Sequence, residues 1–415
     1  MVQAYKCLKQ SGWAESTTGR GTFALRPIKG PAKRMMDWVE TPENGPITDS
    51  AAPSRVIDFV NPTPPAPIEL HDAVTSSAGE VVRLACGGVH YLHGLPELRQ
   101  WIAEWYTRRG LHTRPSEVVV TSGAQQALAL ACRLFLRPRG SVVLESPTYL
   151  GALDQVRSRS AHIISVRSGP EGFDADQLAV SMRSHLPDLI YTMSACHSVT
   201  GTSMTDEQRQ HLVDLAAASS TVIVDDDVYA GLSGSDDQHA PLAAMNPDAP
   251  IITIGGVGKL LWDGLRVGWL RAPAPIAERL ARLKGVEDLG TSLIAQVVSL
   301  ELLQHHTEIA ARRRLEAAES LYRTQALLRA TLPDWTWHDP AGGWSLWITQ
   351  PYGSASQFAV EARKNGILIA AGPTFAADGS SDDHLRLVFY KPAADIEAGV
   401  RRLGESWKQF GTMSG

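Results

Sequence analysis

Lys259 carries the clearest chemical potential in this chain. It closes the run Gly255-Gly256-Val257-Gly258-Lys259, and Arg266 follows seven residues later. A glycine run ending in lysine can cradle a nucleotide phosphate, or it can present a lysine that bonds a cofactor covalently. The nucleotide loop G-x-x-x-x-G-K-[ST] needs a glycine where Thr253 stands and a hydroxyl where Leu260 stands, so that reading fails at both ends. Upstream, Asp226 and Tyr229 follow an apolar run and add a carboxylate and a phenol. The three aspartates 225 to 227 could suggest a metal site. No partner motif accompanies them, and no metal is expected.

These groups need a scaffold. Val118–Thr121, Val142–Glu145, His162–Val166, Leu189–Met193, Thr221–Asp225 and Ile251–Ile254 read as apolar, β-branched strands. Leu95–Arg108, Gln125–Leu136 and Asp206–Ala218 read as helices, and Leu293–Leu328, free of Pro and Gly, as one long helix. The alternation predicts an α/β fold with a mainly parallel sheet covered on both faces. Residues 330–410 alternate shorter elements and suggest a separate small α+β lobe. Parallel sheets bind ligands beyond the carboxyl ends of their strands. The residues there are Ser122-Gly123-Ala124-Gln125, Ser146-Pro147-Thr148-Tyr149, Ser194 to Gly201, Asp226 to Tyr229, and Gly255 to Lys259. A helix-start turn, an aromatic, a carboxylate, a phenol and a lysine suit one organic cofactor bearing a phosphate.

Composition narrows the function classes. The 415 residues are long enough for two or three domains, and the net charge of −5 argues against nucleic-acid binding over the whole surface. Residues 1–36 nevertheless hold Lys6, Lys9, Arg20, Arg26, Lys29, Lys33 and Arg34 against Glu15 alone. Cys7, Cys86, Cys132 and Cys196 form no C-x-x-C pair, which suits a reducing compartment. No signal peptide or membrane span is evident. A cytoplasmic protein is expected.

In order and spacing, residues 56 to 410 resemble the fold-type I pyridoxal phosphate (PLP) enzymes, the aminotransferase class I and II superfamily. Lys259 with Gly264-Leu265-Arg266 looks like the family's S-K-T-L-A-P-G-L-R segment. The resemblance implies a lysine that holds the cofactor as a Schiff base and moves the proton at the substrate's α-carbon. Asp226 and Tyr229 match D-x-x-Y, implying a carboxylate at the pyridine nitrogen and a phenol at the ring oxygen. Gly123, Ala124 and Gln125 look like the phosphate turn, with Arg266 adding a fork to the same phosphate. Tyr149 stands where an aromatic stacks on the ring. Arg386, in His384-Leu385-Arg386-Leu387-Val388-Phe389, looks like the arginine that grips the α-carboxylate of an amino acid substrate. A homodimer is also implied.

The departures bear on the reaction. The family's N-P-T-G is Ser198-Val199-Thr200-Gly201 here, so Ser198 replaces the asparagine at the ring oxygen. Gly256 and Gly258 replace serines beside the lysine; such glycines suggest positions where backbone or substrate comes close. The tyrosine that reaches the partner's phosphate aligns with Val89, leaving Tyr91 or His90 as candidates. Asn61-Pro62-Thr63-Pro64-Pro65 replaces a glycine-rich substrate loop.

Residues 1–26 carry a second resemblance. Ala4-Tyr5-x-x-Leu8, Gly12-Trp13-x-Glu15 and Gly19-Arg20-Gly21-Thr22-Phe23 look like the end of a GntR-type winged helix, a short helix and then a strand pair around Gly19 to Gly21. MocR-type regulators join such a domain to an aminotransferase-like domain through a linker. The first helices of that domain do not precede it here, so a remnant, or a start set too far downstream, is expected, with 27–55 as linker, 56–328 as the large domain and 329–415 as the small one. Nucleic-acid binding is not expected from half a winged helix. The leading reading is an aminotransferase. A biosynthetic PLP enzyme of elimination, replacement or carbon–carbon bond formation is the second. A PLP-sensing regulator is the third.

Overall fold

The computed structural model describes residues 14–17, 21–24, 56–88, 90–169, 172–232 and 240–414. Contacts divide the chain into Met1–Glu40 and Thr41–Gly415. In the first unit, β1 (Ala14–Thr17) and β2 (Gly21–Ala24) form an antiparallel hairpin with Ala14 opposite Ala24, the strand pair expected around Gly19. The helix expected before it, the linker 27–55 and Val89 lie outside the described residues.

In the second unit, β3 (Ile57–Asp58) precedes one mixed, mostly parallel sheet. Its strands are β4 (Val118–Thr121), β5 (Ser141–Ser146), β6 (His162–Gly169), β7 (Gly172–Phe173), β8 (Leu189–Thr192), β9 (Val222–Asp226), β10 (Ile251–Gly256) and β11 (Gly268–Arg271). Their order is β4-β11-β10-β9-β8-β5-β6-β7. Strands β10, β9, β8, β5 and β6 are parallel to one another, whereas β11 runs against both β10 and β4. Every residue of β4, β8 and β9 is buried, as continuous apolar runs require in a sheet covered on both faces. Four helices bear on the site: α1 (Leu70–Ala85), α2 (Ala124–Phe135), α3 (Leu293–Leu303) and α4 (His306–Thr331).

The single helix expected over Leu293–Leu328 is two. It breaks at Gln304 and His305, between α3 and α4. Neither residue is a helix breaker, so the break is a tertiary effect: α3 packs on α1, while α4 packs on the C-terminal helix α5 (Ala393–Ser414).

The remaining strands are β12 (Thr336–Trp337), β13 (Ser345–Thr349), β14 (Ile367–Leu368), β15 (Ala370–Ala371) and β16 (His384–Val388). Four of them form an antiparallel sheet in the order β12-β13-β16-β15, and β14 pairs with β3 in parallel. Beyond β3, Phe59 N donates to Leu368 O and Val388 N donates to Phe59 O, each at 2.9 Å. These bonds bring the segment after β3 alongside the strand that carries Arg386.

Candidate active site

Because β11 runs against its neighbours, its first residue, Gly268, lies level with the last residues of β10 and β4. Gly256 and Thr121 are its partners. A Cβ on Gly268 would sit 2.5 Å from the carbonyl carbon of Gly123 and 2.6 Å from the nitrogen of Ala124. Glycine therefore lets the turn into α2 lie directly on the sheet edge. Gly123 turns the chain at φ 104°, a conformation that favours glycine. The N–H groups of Ala124 and Gln125 open the helix, where no intrahelical acceptor exists and the dipole favours an anion. Gln126 fixes the turn by accepting from Ser122 N at 2.8 Å. The Arg266 guanidinium donates to Asp263 Oδ1 at 3.0 Å and to the Ser122 carbonyl at 3.3 Å, which sets it beside Gly123.

Lys259 lies in a π-helical turn, Gly258–Trp262, just after β10. Its Nζ donates to the Pro62 carbonyl at 2.8 Å and lies 5.8 Å from the centre of the Tyr229 ring. Burial pushes its amine down to about 8. The close approaches at the preceding glycines come chiefly from side chains. A Cβ on Gly255 would meet the Trp269 indole at 2.3 Å, and one on Gly258 would meet Asp263 Oδ1 at 2.8 Å.

The three aspartates at the end of β9 take separate partners. Asp225 accepts from the Ser194 hydroxyl at 2.8 Å. Asp226 accepts from the Tyr191 hydroxyl at 2.8 Å and from Val228 N at 3.3 Å. Asp227 pairs with Arg109 at 2.5 Å, both side chains buried. Burial lifts Asp226 to about 7 and Asp225 to about 6. Behind them, burial holds Glu145 up at about 7 and His197 down at about 4, with His197 Nε2 3.7 Å from the Glu145 carboxylate.

Tyr149 stands at the start of the helix after β5 and donates to Gln125 Oε1 at 3.1 Å, so it flanks the α2 turn. Tyr229 is 3% exposed and meets Trp344 edge-on at 5.6 Å. Arg386 is buried on β16; it donates to the Val60 carbonyl, and its guanidinium lies 4.6 Å from the centre of the Phe375 ring. Burial lowers its proton affinity, although a guanidinium remains charged.

The hydroxyls of Tyr229 and Ser198 are buried and find no hydrogen-bond partner among the described residues. Such groups normally find one. Two orphaned hydroxyls, a lysine of lowered basicity, a buried carboxylate and an anion-favouring helix start are the donor set a phosphorylated pyridine aldehyde requires. The residues present fit that group. Sequence reasoning missed Tyr191, Gly268 and the Pro62 carbonyl. The signal for Tyr191 was a phenol inside the otherwise apolar strand Leu-Ile-Tyr-Thr.

Comparison with known proteins gives the family. The family model of aminotransferase class I and II matches residues 85–403. A 2-aminoadipate transaminase of Thermus thermophilus is 31% identical over 326 residues, which cover 76% of this chain and 80% of that one. An uncharacterized HTH-type transcriptional regulator of Bacillus subtilis, YisV, is 29% identical over 324 residues, 76% of this chain; the match spans 66% of the regulator's length. Among solved structures, an α-aminoadipate aminotransferase of Thermus thermophilus, complexed with N-(5'-phosphopyridoxyl)-L-leucine, superposes with a TM-score of 0.79 at 27% identity. That match covers 86% of this chain and 93% of that one. The chain belongs to the aminotransferase class I and II family.

Proposed function

We propose that the chain is an aminotransferase that moves the amino group of an α-amino acid. The carrying observation is Lys259, a lysine of lowered basicity on the strand-end turn beside Asp226, Tyr229 and the α2 start. PLP is the cofactor of this family, and when bound it withdraws electrons from the substrate's α-carbon. In this reading Lys259 holds the cofactor, with Tyr229 and Ser198 donating to its ring oxygen. Asp226 would serve its ring nitrogen, and Tyr149 would pack on its ring. Ala124, Gln125 and Arg266 take its phosphate. Arg386 grips the substrate's α-carboxylate, and its planar fork suits both oxygens. With an amine near 8, Lys259 exists in both protonation states at neutral pH, as a group that takes and returns the α-proton needs.

Among the described residues no helix is long and apolar enough to cross a membrane. A cytoplasmic homodimer completes the reading. Supporting the dimer, Val286, Leu289 and Ile294 are 78%, 57% and 60% exposed, apolar side chains that association would cover.

The test is a visible absorption spectrum of the protein with added PLP, beside Lys259→Ala, followed by product analysis with candidate amino acids. A Lys259-dependent band and release of a 2-oxo acid are expected. A band indifferent to Lys259 would defeat the reading.

A further inference from the structure

One arginine outside the assigned set reaches three parts of the site at once. Arg313 lies on α4 and is 3% exposed. Its Nε donates to the Leu260 carbonyl at 3.3 Å, and its Nη2 donates to the Leu261 carbonyl at 3.2 Å. Both carbonyls belong to the π-helical turn that carries Lys259. Nη2 also donates to the Pro65 carbonyl, at the far end of the segment whose Pro62 carbonyl receives Lys259. Nη1 donates to the Tyr390 hydroxyl at 2.9 Å, and Glu316 accepts from that same hydroxyl.

The third arm continues inward. Tyr390 stacks on Trp344, with ring centres 4.7 Å apart and planes 19° apart. Trp344 then meets Tyr229 edge-on. A π-helical turn leaves carbonyls outside the regular ladder, and a buried carbonyl needs a donor. A guanidinium is the one side chain whose rigid fork can serve carbonyls and a phenol together. Lysine has three donors but no fixed plane, and an amide has two.

We propose that Arg313 is a positioning residue of the active site. It holds the Lys259 turn closed against the 60–65 segment, and through Tyr390 and Trp344 it sets the place of Tyr229. The inference rests on the aminotransferase reading for its consequence, since the two groups positioned are the proposed cofactor anchor and phenol. The positioning itself can be read on the protein without cofactor.

The experiment is pulse acetylation of the cofactor-free protein across pH, with the Lys259 adduct quantified by mass spectrometry. It is run on the unmodified chain, Arg313→Gln, Arg313→Lys and Tyr390→Phe. The unmodified chain should show a midpoint of about 8. In Arg313→Gln the turn opens to water, and the midpoint should rise by about one pH unit towards that of a free lysine. Arg313→Lys should fall between the two. Tyr390→Phe keeps the grip on the turn, so it should leave the midpoint in place while lowering turnover.

A folded Arg313→Gln protein whose Lys259 profile matches the unmodified chain would overturn the proposal. Should Arg313→Gln fail to fold, Arg313→Lys decides by the same criterion. Unfolding of both would make Arg313 a stability residue and overturn the positioning role as well. A profile that moves as expected, in a chain whose PLP spectrum ignores Lys259, would keep the positioning and defeat the aminotransferase reading.

Discussion

Lys259 Nζ donates to the carbonyl of Pro62 across 2.8 Å. The neighbouring carbonyls are held in the same way, Val60 by Arg386 and Asn61 by Lys391. Pro62 has no N–H, so at that position the segment can only offer acceptors. The segment after β3 thus lies on the two basic side chains that the proposed reaction needs, one for the cofactor and one for the substrate carboxylate.

The lysine's environment sets the pH dependence of cofactor uptake. Burial disfavours the ammonium and brings the amine down to about 8. Below that pH most of Lys259 is protonated and cannot attack a carbonyl; above it the amine is neutral. The rate of PLP uptake should therefore rise with pH and level off above about 8. Stopped-flow growth of the visible band measures it. A rate that keeps climbing towards the range of an exposed lysine, about 10.4, would contradict the burial argument.

Tyr191→Phe should move the acid side of the activity profile. Burial lifts Asp226 to about 7, and the Tyr191 hydroxyl bond opposes that lift. Removing the donor leaves the carboxylate more easily protonated, so the ionised form needs a higher pH. A hydrogen bond to a charged group contributes about 1.5–3 kcal/mol, which corresponds to about one to two pH units. The acid limb of kcat/KM should shift upward accordingly, with little loss at alkaline pH. An unmoved limb would mean that Tyr191 does not tune Asp226.

The parallel core was legible because strands buried on both faces must be apolar throughout, as most of Leu189–Thr192 and Val222–Asp226 is. The loops that follow them could be picked out for the same reason, since the sheet's direction fixes which end binds. What could not be read was anything set by packing across the sequence. The break after Leu303 carries no local signal, because α3 and α4 turn towards different partners. Arg312, Arg313 and Arg314 are identical in type, yet only the fold decides that Arg313 is the most buried, at 3%. The glycine at 268 looks ordinary until β11 is known to run backwards beside β4.

That glycine gives a stability prediction. Gly268→Ala puts a methyl 2.5 to 2.8 Å from backbone atoms in the α2 turn, and backbone cannot swing aside as a side chain can. Overpacking of this kind costs about 1–3 kcal/mol. Because the displaced atoms begin the proposed phosphate site, affinity for PLP should fall together with the urea midpoint. A variant with unchanged stability and unchanged PLP titration would show that the turn does not rest on Gly268.

Arg109 and Asp227 test how the acidic cluster is tolerated. The side chains of both are at most 3% exposed and paired at 2.5 Å, and Asp227 directly follows two other buried carboxylates. Arg109→Met should destabilise the protein by about 3–5 kcal/mol, because it strands a buried charge. If the loss comes from the stranded carboxylate, then also replacing Asp227 by Asn should recover most of it, since neither partner is left charged. Urea unfolding of the two single variants and the double variant gives the coupling directly. Recovery in the double variant assigns the cost to the unpaired charge. An equal loss in the single and double variants would assign it to the packing of Arg109 over the Trp105 ring, which lies 4.5 Å from its guanidinium.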